Sequence, residues 1–353
     1  MPDAKPVHDD LRALLRAVLI RSPMEYELAG RTHKVAPFGA GQSPVWSAYS
    51  AGQPPLVIDL QTCLYDEAYC RPLGSRTEPP ANAVSLLEPL SAANAGRDRW
   101  ESGWTLAQTM PNGHVLARKG DLANVFAPGE FAAAQGGAPA AGGPLHVLLA
   151  RESRTQQPGF YVANGETPAP SGADSRMTRI YWHVAEEGAV PLTRAVTALL
   201  NRYQVPFRFK TLSFSGVYTR ADAAVLYFAS RYYQIIARLL PAIREAVKSH
   251  LRPATPLLTL RLYDGIGLAE DPATGESFGM SRSRLIAQAI WDAYARGLQT
   301  EEARMMELAI QFDRIGLSLD RPHLRAASAD LYSGDSGDSG DSGVRSEINE
   351  AAA

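Results

Sequence analysis

Hydrophobic residues recur at helical spacing from the start of the chain. Leu11, Leu14, Leu15, Val18 and Leu19 predict a first helix over about 7–21, with Asp9 and Asp10 as candidate caps. The next stretch, MEYELAGRTHKV, alternates apolar and polar positions around Ala29 and Gly30 and predicts a small hairpin. Helices are expected over 43–50 and 59–70, and in part of 83–99 despite Pro89. From Gly103 to Lys119 alternation is broken by P-N-G, a second hairpin signal. Beyond residue 144 the pattern turns strand-rich: 145–150, 159–165, 178–184, 207–212, 222–228 and 257–263 carry β-branched and aromatic residues. Helical periods fall between them near 192–203, 229–249, 282–296 and 301–315. Strands interleaved with helices and hairpins predict an α+β fold: a helical N-terminal region followed by a mixed-sheet lobe flanked by helices.

The expected organisation is a mainly helical region with small hairpins over 1–133, a Gly/Ala/Pro-rich linker over 134–144, an α+β lobe over 145–331, and a disordered tail over 332–353. The tail repeats a Ser-Gly-Asp triplet, which has nothing to bury.

Composition narrows the function classes. The 353 residues carry 35 Lys+Arg and 37 Asp+Glu, a formal charge of -2, which excludes a globally basic nucleic-acid binder but not a local basic site. Acids precede any apolar run in MPDAKPVHDD, the wrong pattern for a secretory signal peptide. The most apolar stretch, 223–243, contains Arg231 and Arg238 and reads as a strand leading into a core helix, so no membrane partner is expected. Two cysteines, Cys63 and Cys70, fit reduced thiols in a cytoplasmic protein.

There is no Walker loop, dinucleotide-binding glycine motif, GxSxG elbow or HExxH, and the seven histidines show no ligand spacing. The glycines of Y-D-G-I-G-L at 263–268 lack the full spacing of a phosphate loop. What stands out is basic side chains on predicted strands. Arg179, Tyr181 and His183 share one face of TRIYWHV, opposite Ile180 and Trp182; Arg208 and Lys210 share one face of FRFKTL, opposite Phe207 and Phe209. A solvated sheet face accounts for that pattern as well as a site does. Tyr218 and Arg220 precede a very apolar strand, and Arg282 and Arg284 stand where a loop enters a helix. There they either ligate an anion with the helix amides or pair with Glu270, Asp271 or Glu276.

R-I-Y-W-H at 179–183, V-P-F-R-F-K at 205–210, Y-T-R-A-D-A-A-V-L-Y at 218–227 and G-L-A-E-D-P followed by E-S-F-G-M-S-R at 267–282 together resemble the HopA-type family. That family is named after a plant-pathogen type III effector, with bacterial members in peptide natural-product pathways such as class V lanthipeptide and thioamitide clusters. The resemblance is clearest over about 160–289, and S-A-A-N-A-G with W-E-S-G-W at 91–104 extends it. It implies phosphothreonine/phosphoserine lyase activity: elimination of phosphate from a phosphorylated precursor peptide to give dehydrobutyrine or dehydroalanine. The implied partners are that peptide, a kinase-like protein and a separate cyclase. On this reading Lys210 removes the Cα proton, and His183 protonates the departing phosphate. Arg220, Arg282, Arg179 and Arg284 bind the dianion, and Tyr218 or Tyr181 hydrogen-bonds the phosphate or the peptide carbonyl. No metal or organic cofactor is needed for it. The competing readings are an effector-like protein acting on or binding a host phosphoprotein, and a non-enzymatic leader-peptide-binding module.

Overall fold

A computed structural model describes residues 5–36, 52–75, 82–120, 122–155, 157–167, 176–272 and 274–332. The expected helix over 43–50 and nearly all of the expected tail lie outside them.

The first helix, α1 (Lys5–Ala17), starts before Asp9 and Asp10, so neither caps it, and the chain turns directly into β1 (Val18–Ser22). β2 (Glu25–Leu28) and β3 (Arg31–Lys34) form the expected hairpin around Ala29 and Gly30, and β1 pairs with β2 to complete a three-stranded sheet. Helix α2 (Pro55–Leu64) carries proline in its first turn, where no backbone donor is lost, and continues as a π-helical turn over Tyr65–Tyr69. α3 (Leu87–Ala93) follows.

Strands β4 (Arg99–Thr109), β5 (Val115–Lys119), β6 (Leu122–Phe126), β7 (Phe131–Ala133) and β8 (Pro144–Leu149) make an antiparallel sheet in the order β6-β5-β4-β8-β7. Its small core is Trp104, Leu106, Val115, Ala117, Phe126, Leu145 and Val147. The Gly/Ala/Pro-rich stretch 134–144 connects two paired strands of this sheet, β7 and β8.

The third sheet organises the rest. Its strands are β9 (Glu152–Ser153), β10 (Phe160–Asn164), β11 (Met177–Trp182), β12 (Arg208–Leu212), β13 (Ala224–Ala229), β14 (Leu260–Tyr263) and β15 (Ile266–Glu270), in the order β14-β15-β11-β13-β12-β10-β9. All neighbours are antiparallel. On one face Tyr161, Ala163, Ile180, Trp182, Phe209, Leu226 and Phe228 pack with α4 (Ala189–Arg202) and α5 (Tyr233–Glu245). On the other face Tyr181, Val225 and Ala269 pack with α1, α2, α6 (Phe278–Ala295) and α7 (Glu301–Arg314). The sheet is thus packed on both sides, which accounts for near-continuous apolar runs such as A-V-L-Y-F-A on β13. The apolar stretch 223–243 is a strand and a helix, β13 and α5, as expected, and among the described residues no helix is long and apolar enough to cross a membrane.

Residues 263–268 are the tight turn at Asp264 and Gly265 with the ends of β14 and β15 that flank it, rather than a phosphate loop. Gly265 takes φ +73°, and a Cβ there would stand 2.3 Å from the carbonyl oxygen of Arg252, so the position needs glycine for both reasons.

Candidate functional site

Cross-strand register sets the site. Lys210 and Tyr181 lie opposite Val225 from its two sides, and Arg208 and Arg179 do the same for Tyr227. These side chains therefore share one sheet face, with β12 and β11 separated by two strand spacings, about 10 Å. The face is closed at the β11 end by the π-helical turn and the start of α6. Tyr69 packs edge-on against Tyr181 and tilted against Phe278. Gly279 lets the helix approach: a Cβ there would stand 2.4 Å from the Tyr69 ring. Towards β12 and β10 the face is only half buried, at Lys210, Arg208, Tyr227 and Phe160.

Lys210 projects from this half-buried part. Its Nζ lies 4.4 Å from the centroid of the Phe160 ring and 5.7 Å from that of Tyr227, cation–π geometry on two aromatic faces. Among the described residues no carboxylate pairs with it within 4 Å. Next to it, Arg208 buries its Nε without a hydrogen-bond partner.

A carboxylate that the sequence pattern did not single out joins the site residues. Asp222, 5% exposed, accepts from Arg220 Nε at 2.8 Å and from a second guanidinium nitrogen at 2.9 Å. Burial opposes its charge, but the Arg220 fork, and after it Lys210, hold the carboxyl below its usual range. The same negative charge acts on His183, Tyr181, Tyr69, Tyr65 and Cys70. Arg220 also reaches the Tyr65 hydroxyl at 3.2 Å and Cys70 Sγ at 3.0 Å, and the Ala221 amide donates to the Cys70 carbonyl. The loop before β13 is thereby fastened to the π-helical turn.

His183 stands just beyond β11 and is 5% exposed. Its Nδ1 lies 3.1 Å from the Ala254 carbonyl, an arrangement that makes Nδ1 the donor and Nε2 the acceptor nitrogen. Burial lowers its pKa from the usual value, the Ala254 bond and Asp222 oppose the shift, and Arg252 adds to it. The imidazole is therefore neutral at pH 7.

The four arginines expected to hold phosphate are each engaged with protein groups. Arg179 pairs with Asp271 and lies 5.1 Å over the Tyr227 ring. Arg220 is held by Asp222. Arg284 pairs with Glu276 at 3.2 Å. Arg282, 2% exposed, donates to the carbonyls of Pro322 and Leu324 and sits between Phe278 and Phe312; burial lowers its pKa to about 10, so it remains charged. α6 begins at Phe278, with Ser277 capping the Met280 amide, so Arg282 and Arg284 lie in its second turn rather than at its N-terminus. Tyr218 packs in the core of the opposite face, where its hydroxyl donates to the Leu212 carbonyl. Tyr181 shares the face of Lys210. The structure thus brings Lys210, Arg179, Arg220 and Tyr181 around one sheet face, with His183 at its end, buries Arg282 behind Tyr181 and Tyr69 with Arg284 near it, and puts Tyr218 on the opposite face. Asp222 was legible only as the residue two beyond Arg220; Phe160 and Tyr227 carried no signal beyond strand propensity.

The arrangement defines an α+β protein with a cation-bearing, aromatic-walled sheet face. Residues 151–324, from the start of the seven-stranded sheet to the segment that binds Arg282, match the HopA1 effector protein family. Two solved structures are similar to it. One is an effector protein from Pseudomonas syringae pv. syringae strain 61, at 14% identity and TM-score 0.47, covering 92% of this chain and 100% of that one. The other is an effector protein from Pseudomonas syringae pv. tomato strain DC3000, at 18% identity and TM-score 0.44, covering 80% and 95%. No curated protein matches the chain.

Proposed function

We propose that this protein is a phosphate-eliminating lyase acting on phosphothreonine or phosphoserine in a precursor peptide, supplied by a kinase-like partner and passed on to a cyclase. The observation that carries the reading is Lys210: an amine on a half-buried sheet face, among the described residues without a carboxylate within 4 Å, held over two aromatic rings beside Arg208, whose Nε has no partner. Lys210 takes the Cα proton; the C–H electrons form the Cα=Cβ double bond; the Cβ–O bond breaks and phosphate leaves. Arg208, on the same sheet face as Lys210, supplies charge-assisted hydrogen bonds to phosphate. A phosphate dianion brought against Nε2 of His183 offsets the burial that keeps this imidazole neutral, and the proton it gains is the one the leaving oxygen needs.

The test is mass spectrometry of a phosphothreonine-bearing precursor peptide after incubation. Wild type should yield the dehydrated residue and free phosphate. Lys210→Ala should abolish elimination while leaving phosphopeptide binding mostly intact, and His183→Ala should slow turnover by about 10²–10⁴-fold. Wild-type turnover in Lys210→Ala would overturn the base assignment. A second reading, capture of a phosphoprotein without chemistry, rests on the same Lys210 and Arg208 cations, which can hold a phosphate without removing a proton. It predicts phosphopeptide binding with no elimination in any variant.

A further inference from the structure

Away from the sheet face, three side chains that the sequence scatters over 35 positions meet at the junction of the N-terminal hairpin and α2. His33 comes from β3, Cys63 from the last turn of α2 and Glu67 from the π-helical turn. One ligand atom from each lies within 4.8 Å of the others. Cys63 Sγ is 3.8 Å from His33 Nε2 and 3.9 Å from Nδ1, so a small rotation of the ring presents either nitrogen. Cys63 and Glu67 are four apart on one continuous helical run and so project to the same side. Tyr26 braces the cluster: its ring stacks on His33 at 4.8 Å and 3°, and its hydroxyl donates to Asp59 at 2.7 Å. Asp59 precedes Cys63 by one helical turn and is a second nearby carboxylate.

We infer that His33, Cys63 and Glu67 form a zinc site that clasps the hairpin to the π-helical turn. Thiolate, imidazole and carboxylate are the ligand types of four-coordinate Zn²⁺, whose Zn–S and Zn–N bonds of about 2.3 and 2.0 Å place neighbouring ligand atoms about 3.5 Å apart. The Cys63–His33 pair is near that spacing at 3.8 Å, and the whole set, within 4.8 Å, contracts by about 1 Å on binding. On binding, Cys63 gives its thiol proton to solvent, and two anionic ligands neutralise the dication; water or Asp59 takes the fourth position. Arg31 pairs with one oxygen of Glu67, Oε2, and orients the carboxylate in the way that outer partners orient metal ligands. The consequence reaches the sheet face, because the clasped turn carries Tyr65, Tyr69 and, just beyond it, Cys70.

The full-length protein, dialysed against a chelator, is titrated with Co²⁺ and then Zn²⁺. One cobalt per chain should bind with thiolate-to-cobalt charge-transfer absorption, and one zinc should displace it. Cys63→Ser should remove the band and Cys70→Ser should keep it. His33→Gln should weaken zinc binding by about 100-fold. Absence of a stoichiometric band, its survival in Cys63→Ser, or unchanged zinc affinity in His33→Gln would overturn the inference. If a variant fails to fold, alkylation of wild type decides: one equivalent of zinc should protect Cys63 and magnesium should not, and unprotected alkylation under zinc overturns the site.

Discussion

Asp222 shows how a single buried charge changes the meaning of its neighbours. Arg220 looks like a phosphate clamp in the sequence, yet both arms of its fork face Asp222, one of them also touching Tyr65 and Cys70. Removing one member of a buried ion pair strands the other. Arg220→Ala should therefore lower stability by about 3–5 kcal/mol in urea titrations, well before any effect on a ligand is considered. The double replacement Arg220→Met with Asp222→Leu should recover most of that loss. His183 yields a pH prediction at the same scale. Its pKa is lowered below 6.5, so a role as proton donor in the free protein weakens as pH rises through that lowered value. The kcat/KM of elimination should fall with a midpoint below 6.5, and His183→Gln should erase that limb.

Elements meet where small residues permit it. Helix α6 reaches the π-helical turn because Gly279 presents no side chain to Tyr65 and Tyr69, with a virtual Cβ at 2.7 and 2.4 Å from their rings. Gly279→Ala must push the helix or the tyrosines aside. A cost of about 1–3 kcal/mol is expected from overpacking. Chemical denaturation measures it. Because Tyr69 also touches Tyr181, the near-ultraviolet circular dichroism of the tyrosines should change with it.

At the scale of the molecule, the C-terminal segment after α7 straps the sheet. Glu270, at the end of β15, accepts from the Arg325 amide, Ser328 and Tyr332, and Tyr332 also meets Thr178 and stacks edge-on against Tyr233. The expected boundary before residue 332 is thus one residue early: Tyr332 is 3% exposed. Truncation after Leu331 should cost about 3 kcal/mol, the scale for losing a buried aromatic, and truncation after Tyr332 should not; thermal melts compare the two. In the same strap His323 is 4% exposed, and burial lowers its pKa to about 4. The unfolded chain binds this proton near pH 6.5 and the folded chain does not, so the sign is fixed: stability is complete above 6.5 and lost as pH falls towards about 4. The loss should reach about 3 kcal/mol, and His323→Phe should flatten that part of the stability curve.

How much of this was legible along the chain follows from the range of the interactions. Hydrophobic periodicity and turn residues are local, so the hairpin at Ala29 and Gly30, the strand-rich second half and most helices could be read directly. The faces of β11 and β12 were legible too, because strand alternation obliges Arg179 and Tyr181, or Arg208 and Lys210, to point together. β15 escaped because its composition, I-G-L-A-E, mimics a loop, and its strand character comes from pairing with β11 and β14. Tertiary structure alone decided which cations are spent on carboxylates. Arg179 and Asp271 lie 92 positions apart, Arg282 reaches carbonyls 40 and 42 positions on, and His33 meets Cys63 across 30. Charge and burial are properties of a place in the fold, and a sequence fixes that place only through all of its distant contacts at once.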